Sequence, residues 1–213
     1  MPLTFYYASG SPFAWRVWLA LEHKQIAYEL KLMSFSAGDL RSAQFHAINP
    51  RHKVPAIVDD GFALYESVAI VEYLDEKYAG AKLFPADVEQ RAVVRRLVQE
   101  ADHYYATAAD MLLNQVLFTP AEKWDTAEIA KARDGVAEEL KTWETLFRGE
   151  WLAGGELSAA DLSLYPLLAL TLRMDRKKPD LDVRGLIGAR VGAWMQRFEA
   201  LPCCRKTWPP HWK

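Results

Sequence analysis

Ser9-Gly-Ser-Pro-Phe-Ala-Trp-Arg-Val17 is the most informative segment of the sequence for the class of fold. It follows Leu3 to Tyr7, a short aromatic run that predicts a β-strand. It also opens the segment Pro12 to Lys24, whose apolar residues recur at helical spacing and whose proline suits a first helical turn. A hydroxyl, a proline and an arginine therefore meet where the opening strand passes into a helix.

A second stretch begins with Lys53-Val-Pro-Ala-Ile57 and continues to Tyr65-Glu-Ser67. Two short apolar runs in it flank Asp59-Asp-Gly61, which is typical of a β-hairpin. An acid and a serine then open the next predicted helix. Together with the first stretch, these residues could hold a small anionic peptide by its backbone and its carboxylate, with a hydroxyl beside its reactive atom.

The first 80 residues and the rest of the chain have different patterns. Strand, helix, strand, helix, hairpin and helix follow one another up to Tyr78, which predicts a mixed sheet in an α/β domain. Residues 81–88, which include Pro85, are expected to form a linker. Only helical periodicity is found over residues 89–213, with long helices expected from Glu89 to Leu117 and from Thr126 to Phe147. We therefore expect an α/β domain followed by an all-α domain.

Composition excludes several classes of function. The formal net charge of the 213 residues is −2 without a basic stripe, which argues against a nucleic-acid partner. The longest apolar stretch, Leu162 to Leu172, contains Pro166 and is too short to span a membrane. Cys203 and Cys204 are adjacent, so neither a disulfide nor a zinc site is expected, and a reducing cytoplasm fits best.

Several of these motifs resemble those of cytosolic glutathione S-transferases. The run from Ser11-Pro-Phe to Arg16-Val17 is similar to the start of that family's first domain. Asn49-Pro50, His52-Lys-Val-Pro55 and Glu66-Ser67 resemble its glutathione-site segments, and Ser158-x-x-Asp161 resembles a structural box in its helical domain. The serine-type tau group, with the related omega and zeta groups, is the most similar.

The resemblance implies a fold and a set of partners. Residues 1–80 would form a thioredoxin-like, glutathione-binding domain with a mixed four-stranded sheet, and residues 89–213 an all-helical domain that contributes the electrophile site. Glutathione would be a co-substrate without a metal, the second substrate a hydrophobic electrophile, and the protein a homodimer. A glutathione-dependent isomerase, a peroxidase, or a non-catalytic interaction module of the same fold are the alternatives.

Ser11 is the expected catalytic residue. The thiolate is the nucleophilic form of a thiol, and a free thiol with a pKa of about 8.5 is mostly protonated at neutral pH. A hydroxyl that donates a hydrogen bond to sulfur, at the positive end of a helix, lowers that pKa. The alternatives are that Ser11 only caps the helix, or that Ser9 is the main donor.

The remaining site residues follow from the resemblance and from residue chemistry. The glutathione-binding set is Phe13, Lys53, Val54, Pro55, Glu66 and Ser67. A cis peptide bond before Pro55 would present the backbone of Val54 to an extended peptide, whereas a trans proline at a strand start is the alternative. Ser67 would bind the γ-glutamyl carboxylate at a helix N-terminus, with simple capping as the alternative.

The electrophile pocket is expected to include aromatic side chains, although aromatic residues at helical spacing also occur in protein cores. The expected residues are Phe13, Tyr104, Tyr105 and Trp208, with Met111 and Trp212 as further candidates. Arg16 would be a buried structural residue that anchors to an acid in the helical domain, or it would lie in solvent. Ser158 and Asp161 have the spacing of a helix-capping box. A hydrolase triad has no support, because no histidine lies near them in sequence.

Overall fold

The computed structural model describes residues 2–212. The chain forms two compact units: one runs up to Phe84 and includes the segment from Leu201 onward, and the other is Pro85–Ala200. No helix among the described residues is both long enough and apolar enough to cross a membrane.

The first unit contains a mixed four-stranded sheet. Its strands are β1 (Leu3–Tyr7), β2 (Tyr28–Leu32), β3 (Ala56–Asp59) and β4 (Phe62–Tyr65), in the order β2-β1-β3-β4. β1 pairs with β2 in parallel and with β3 antiparallel, and β3 pairs antiparallel with β4. The sheet confirms the mixed topology and the hairpin that the sequence predicts.

Three helices accompany this sheet: α1 (Pro12–His23), α2 (Ala43–Ile48) and α3 (Ser67–Lys77). α1 begins as predicted, with Ser11 as its N-cap and proline at its first position. The helix expected between residues 38 and 47 divides into a 3-10 turn and α2, because Ser42 caps α2 by accepting a hydrogen bond from the backbone N–H of Phe45.

A buried ion pair ties the end of the first unit to its helices. Asp75 in α3 accepts a hydrogen bond from Lys24 Nζ at 3.0 Å, and both side chains are almost fully buried. The same carboxylate accepts from the backbone N–H groups of Leu83 and Phe84 at 2.9 and 3.2 Å. The first half of the expected linker therefore packs as part of the first unit.

The segment from Leu201 corrects the expected domain boundary, because it packs with the first unit and not with the helical unit. Its helix, α10 (Pro202–Thr207), lies against α1, and Trp15 Nε1 donates to Thr207 Oγ1 at 2.7 Å. Trp212 further along is 1% exposed. Helical periodicity predicts that a segment is a helix but does not indicate which surface it packs on.

The second unit is helical, as predicted. Its helices are α4 (Val88–Glu100), α5 (Ala106–Leu113), α6 (Thr126–Leu146), α7 (Ala159–Leu172), α8 (Met174–Lys177) and α9 (Ala189–Glu199). Two π-helical turns, Ala101–Tyr105 and Asn114–Phe118, follow α4 and α5. The long helix expected from Glu89 to Leu117 is thus one helical run with two wider turns, a feature that is frequent at functional sites.

Asp161 in α7 organises the centre of the helical unit. Its carboxylate accepts hydrogen bonds from the backbone N–H groups of Leu152 and Ser158, from Ser158 Oγ and from Trp194 Nε1, at 2.8 to 3.0 Å. Asp161 has no exposed surface. The capping box predicted from Ser158 and Asp161 is confirmed, and the same carboxylate also holds α9 through Trp194.

Asp59 fixes α3 against the hairpin. Its Oδ2 atom accepts hydrogen bonds from Tyr73 and Tyr78 hydroxyls at 2.8 Å and from Lys77 Nζ at 2.7 Å. Burial alone would raise the pKa of the Asp59 carboxyl. The hydrogen bonds from the lysine and the two tyrosines outweigh burial and lower that pKa below its usual value.

We expect Asp161→Ala to reduce the free energy of unfolding by about 3 kcal/mol or more, because it leaves several buried donors without an acceptor. Urea denaturation followed by circular dichroism measures this change. Asp180→Ala is the control, since Asp180 is a 73% exposed carboxylate paired with Lys178. Equal losses in the two variants would contradict the role assigned to Asp161.

We expect Asp59→Asn to lower stability at neutral pH and to approach the wild type in acid. A carboxyl whose folded pKa is depressed stabilises the fold above its unfolded pKa of about 3.9 and loses that effect as pH falls through the folded pKa. Urea midpoints between pH 7 and pH 2 test this, with Asp60→Asn as the control because Asp60 is 65% exposed and 4.0 Å from Lys77. A difference that stays constant with pH would contradict it.

Candidate functional site

Three chain segments meet at one edge of the sheet. Ala56 at the start of β3 pairs with Tyr6 near the end of β1 and with Tyr65 at the end of β4. The register therefore brings the loop after β1, the residues before β3 and the residues after β4 to the same edge. These are the segments that hold Ser9 to Ser11, Lys53 to Pro55, and Glu66 with Ser67.

Ser11 lies at the junction of β1 and α1. Its Oγ accepts a hydrogen bond from the backbone N–H of Ala14 at 3.2 Å, so the helix-capping role left open above is present. A serine hydroxyl has one proton and two lone pairs, and capping uses only a lone pair. The Ser11 proton is therefore still available to an acceptor placed before the N-terminus of α1.

Arg16 connects α1 to α3, a link that the sequence analysis did not identify. Its Nη1 atom donates a hydrogen bond to Ser67 Oγ at 3.0 Å, and Arg16 is 1% exposed. The prediction that Arg16 is buried is therefore confirmed, and the partner that the structure shows is a serine of the first unit. A signal was present in the helical spacing, since Leu19 and Ala20, three and four residues further on, are apolar and buried.

Ser67 is the first residue of α3 and is 7% exposed. Because its oxygen accepts from a guanidinium, its proton is directed to another acceptor, and the backbone N–H groups of the first turn add positive charge nearby. Glu66 before it has φ +74°, in the left-handed region that favours glycine. Such conformations in residues other than glycine cluster at functional sites.

The loop before β3 is held by a buried asparagine. Asn49 is 2% exposed, donates to the backbone carbonyl of Lys53 at 2.7 Å and accepts from the backbone N–H of Arg51 at 2.9 Å. The Val54–Pro55 peptide bond is cis, which is one of the two alternatives considered from the sequence. Val54 is partly exposed and precedes the first paired residue of β3, while the Lys53 side chain is exposed.

The aromatic residues expected around an electrophile divide between the two units. In the first unit, Phe13 is 37% exposed beside the Arg16 guanidinium, and Trp208 is half-buried, edge-on to Trp15 at 5.4 Å between ring centroids. In the second unit, Tyr104 is 64% exposed. Tyr105 has no exposed surface, so the expectation that it lines a pocket is corrected.

The same correction applies to Trp212, which is buried. Successive side chains on a helix are about 100° apart, so Tyr105 is buried in the core of its own unit although the preceding Tyr104 is exposed. Met111 remains exposed. No cluster of three or more metal-ligating side chains occurs within residues 2–212.

A mixed four-stranded sheet in the first unit and an all-helical second unit define the architecture of a two-part, thioredoxin-like protein. Comparison with known proteins gives the family. The profile "Glutathione S-transferase, N-terminal domain" matches residues 10–77, and "Glutathione S-transferase, C-terminal domain" matches residues 126–201. The chain belongs to the glutathione S-transferase family.

Individual relatives agree with the family. Glutathione S-transferase A of Pleuronectes platessa is 30% identical over 99% of this chain and 92% of its own length. A probable maleylacetoacetate isomerase of Vibrio cholerae is 29% identical over 95% of this chain and 96% of its own. The crystal structure of a glutathione S-transferase from the Antarctic clam Laternula elliptica superposes with a TM-score of 0.81, at 29% identity, over 100% of this chain and 94% of that one.

The resemblance proposed from the sequence is confirmed at the level of the family. The likeness to the tau, omega and zeta groups stays a prediction.

Proposed function

We propose that this protein is a glutathione transferase that activates the thiol of bound glutathione for attack on an apolar electrophilic substrate. The observation that carries the proposal is the hydrogen-bonding state of Ser11, which accepts from the helix backbone and retains a proton to donate. The family to which the chain belongs supports glutathione as the thiol that receives it.

The chemistry needs a thiolate at neutral pH. Lowering a thiol pKa from about 8.5 by about two units requires roughly 2.7 kcal/mol of preferential stabilisation of the thiolate. The Ser11 hydroxyl supplies a hydrogen bond to a charged acceptor, and the N-terminus of α1 supplies part of the remainder. The thiol proton leaves to solvent, the sulfur forms a bond to the electrophilic carbon, and the leaving group departs with its bonding electrons.

Glutathione would lie along the edge of the sheet where the three segments meet. Ser67 and the first turn of α3 would bind the γ-glutamyl carboxylate, with Glu66 as acceptor for the ammonium group. The backbone of Val54 would pair with the cysteinyl residue as a short added strand, and Lys53 would pair with the glycine carboxylate. Phe13 borders this site at the second position of α1.

An apolar electrophile would bind against aromatic side chains. Within the first unit, Phe13 and Trp208 are partly exposed aromatic residues that suit an apolar substrate. Tyr104 remains a candidate on the second unit. We also infer a homodimer, which the family resemblance implies. We infer a cytoplasmic location as well, which fits Cys203 and Cys204 because both are buried and neither forms a disulfide.

A glutathione-dependent isomerase is the second candidate, and the relative named as a probable maleylacetoacetate isomerase favours it. The same thiolate would add to a substrate double bond and leave again after rotation. The two activities differ in stoichiometry, since conjugation consumes one glutathione for each product and isomerisation consumes none. Measuring the remaining glutathione after complete turnover separates them.

We expect Ser11→Ala to raise the apparent thiol pKa of bound glutathione and to lower turnover by about one to two orders of magnitude, the worth of a hydrogen bond to a charged group. Ultraviolet difference spectra over a pH series measure thiolate formation, and calorimetry measures binding.

Ser42→Ala is the matched control for that experiment. Ser42 caps α2 by accepting from a backbone N–H at 3.2 Å, as Ser11 does for α1, but its own proton is donated to the Asp39 carbonyl at 2.8 Å. The control should lose a cap without a change in the thiol pKa. Unchanged thiolate formation in Ser11→Ala would overturn the assignment, and no binding of glutathione to the wild type would overturn the proposed function.

We expect Ser67→Ala to weaken glutathione binding roughly tenfold while turnover at saturating glutathione changes little, because the carboxylate lies far from the reacting sulfur. Calorimetry and steady-state kinetics give the two quantities separately, and a thermal melt shows whether losing the partner of Arg16 disturbs the fold. A folded variant with unchanged affinity would contradict the carboxylate site.

A further inference from the structure

The loop that carries the candidate catalytic serine is in contact with the far end of the described chain. Ser9 Oγ lies 2.8 Å from His211 Nδ1, although 202 residues separate the two in sequence. Both belong to the first unit. Neither composition nor periodicity indicates this contact, and no family profile covers it, since the matched regions end at residue 201.

The neighbouring tryptophan fixes the direction of this hydrogen bond. Trp212 Nε1 donates to His211 Nε2 at 3.0 Å, and an indole N–H is only ever a donor. His211 Nε2 must therefore hold a lone pair, so the proton of the neutral imidazole is on Nδ1. His211 Nδ1–H donates to Ser9 Oγ, and the proton of Ser9 is available to another acceptor.

The imidazole is held firmly against the loop. Gly10 has φ +91°, and a Cβ added there would lie 3.0 Å from His211 Nε2 and 3.5 Å from Trp212 Nε1. The Trp212 ring is 1% exposed and packs edge-on to Trp15 and Trp208 at centroid distances of 5.4 and 6.3 Å. The buried ring of Trp212 thus holds the neighbouring His211 beside Ser9.

We propose that His211 is a positioning residue for Ser9, and that Ser9 is a second hydroxyl donor to the thiolate that Ser11 stabilises. This inference rests on the proposed function, because the thiolate is its acceptor. His211 donates to Ser9 and orients its hydroxyl, Trp212 keeps the required tautomer, and Ser9 and Ser11 approach the sulfur from the two sides of Gly10 in the loop.

The same geometry rules out a different role for this pair. A serine beside a histidine suggests a nucleophile with its general base. Here the nitrogen that faces Ser9 already carries a proton, because the other nitrogen accepts from Trp212. His211 Nδ1 is therefore a donor to Ser9 and not a base for it.

Two substitutions at one position test the proposal. The side-chain amide nitrogen of asparagine and the Nδ1 atom of histidine are the same number of bonds from Cα. His211→Asn therefore retains the donor to Ser9. In His211→Gln, the amide nitrogen takes the position of Nε2 instead. We expect His211→Asn to behave like the wild type, and His211→Gln to raise the apparent thiol pKa of bound glutathione and lower turnover about three- to tenfold.

A double-mutant cycle with Ser9→Ala then shows whether His211 acts through Ser9. The expected result is that Ser9→Ala has the same effect as His211→Gln and that combining them adds nothing. Trp212→Phe, which keeps an aromatic ring and removes the donor to Nε2, should give a smaller loss of the same kind.

Two results would overturn the proposal. One is equal behaviour of His211→Asn and His211→Gln, and the other is additive effects of Ser9→Ala and His211→Gln. Both are distinguishable from failure of the proposed function, which shows as no glutathione binding by calorimetry or no dependence of the thiol pKa on Ser11. Thermal melts of each variant identify any that lose the fold.

Discussion

The buried hydrogen bond from Arg16 to Ser67 is the interaction on which the arrangement of the site depends. Ser11 and Ser67 are far apart in sequence, because 56 positions and three strands separate them in the chain. The hydrogen bond places the start of α3 beside α1, and this arrangement would bring Ser11 and Ser67 to the one proposed site. A guanidinium that is 1% exposed is costly to desolvate, so its partners at this junction must stay in place.

The rest of the first unit supports that junction from both sides. Asp59 holds the C-terminal half of α3 to the end of β3, and the Lys24–Asp75 pair holds α1 to α3 and to the end of the unit. Both anchors are at a distance from the proposed glutathione site. Their effect is to fix the direction in which the N-terminus of α3 points, and therefore where a bound carboxylate would lie.

The sequence predicts the helices and strands better than it predicts the surfaces on which they pack. The strand after Met1, the hairpin around Gly61 and the long helices follow from local periodicity and turn chemistry, which is information carried by neighbouring residues. Local pattern does not distinguish the two sides of a helix that is apolar on both. The sequence therefore predicts the same role for Tyr104 and Tyr105, although only Tyr104 is exposed.

Local sequence pattern does not predict contacts between distant parts of the chain. Residues after Leu201 continue the helical pattern of the second unit, yet α10 packs on α1 through Trp15 and Thr207. A hydrogen bond between residues 202 positions apart leaves no periodic trace in the sequence. Only a fold in three dimensions shows that the tail and the first loop share a surface.

Three serines in the first unit share one hydrogen-bonding pattern. Ser11 accepts from the Ala14 backbone, Ser67 accepts from Arg16, and Ser9 accepts from His211 once its tautomer is considered. Each serine oxygen thus accepts a hydrogen bond from a donor within the protein, and each hydroxyl proton remains available to a bound ligand. A site for an anion needs hydroxyls in this state, because a serine whose proton is bound within the protein presents only lone pairs to a carboxylate or a thiolate. The donors that fill the lone pairs therefore do as much to define the anion site as the serines themselves.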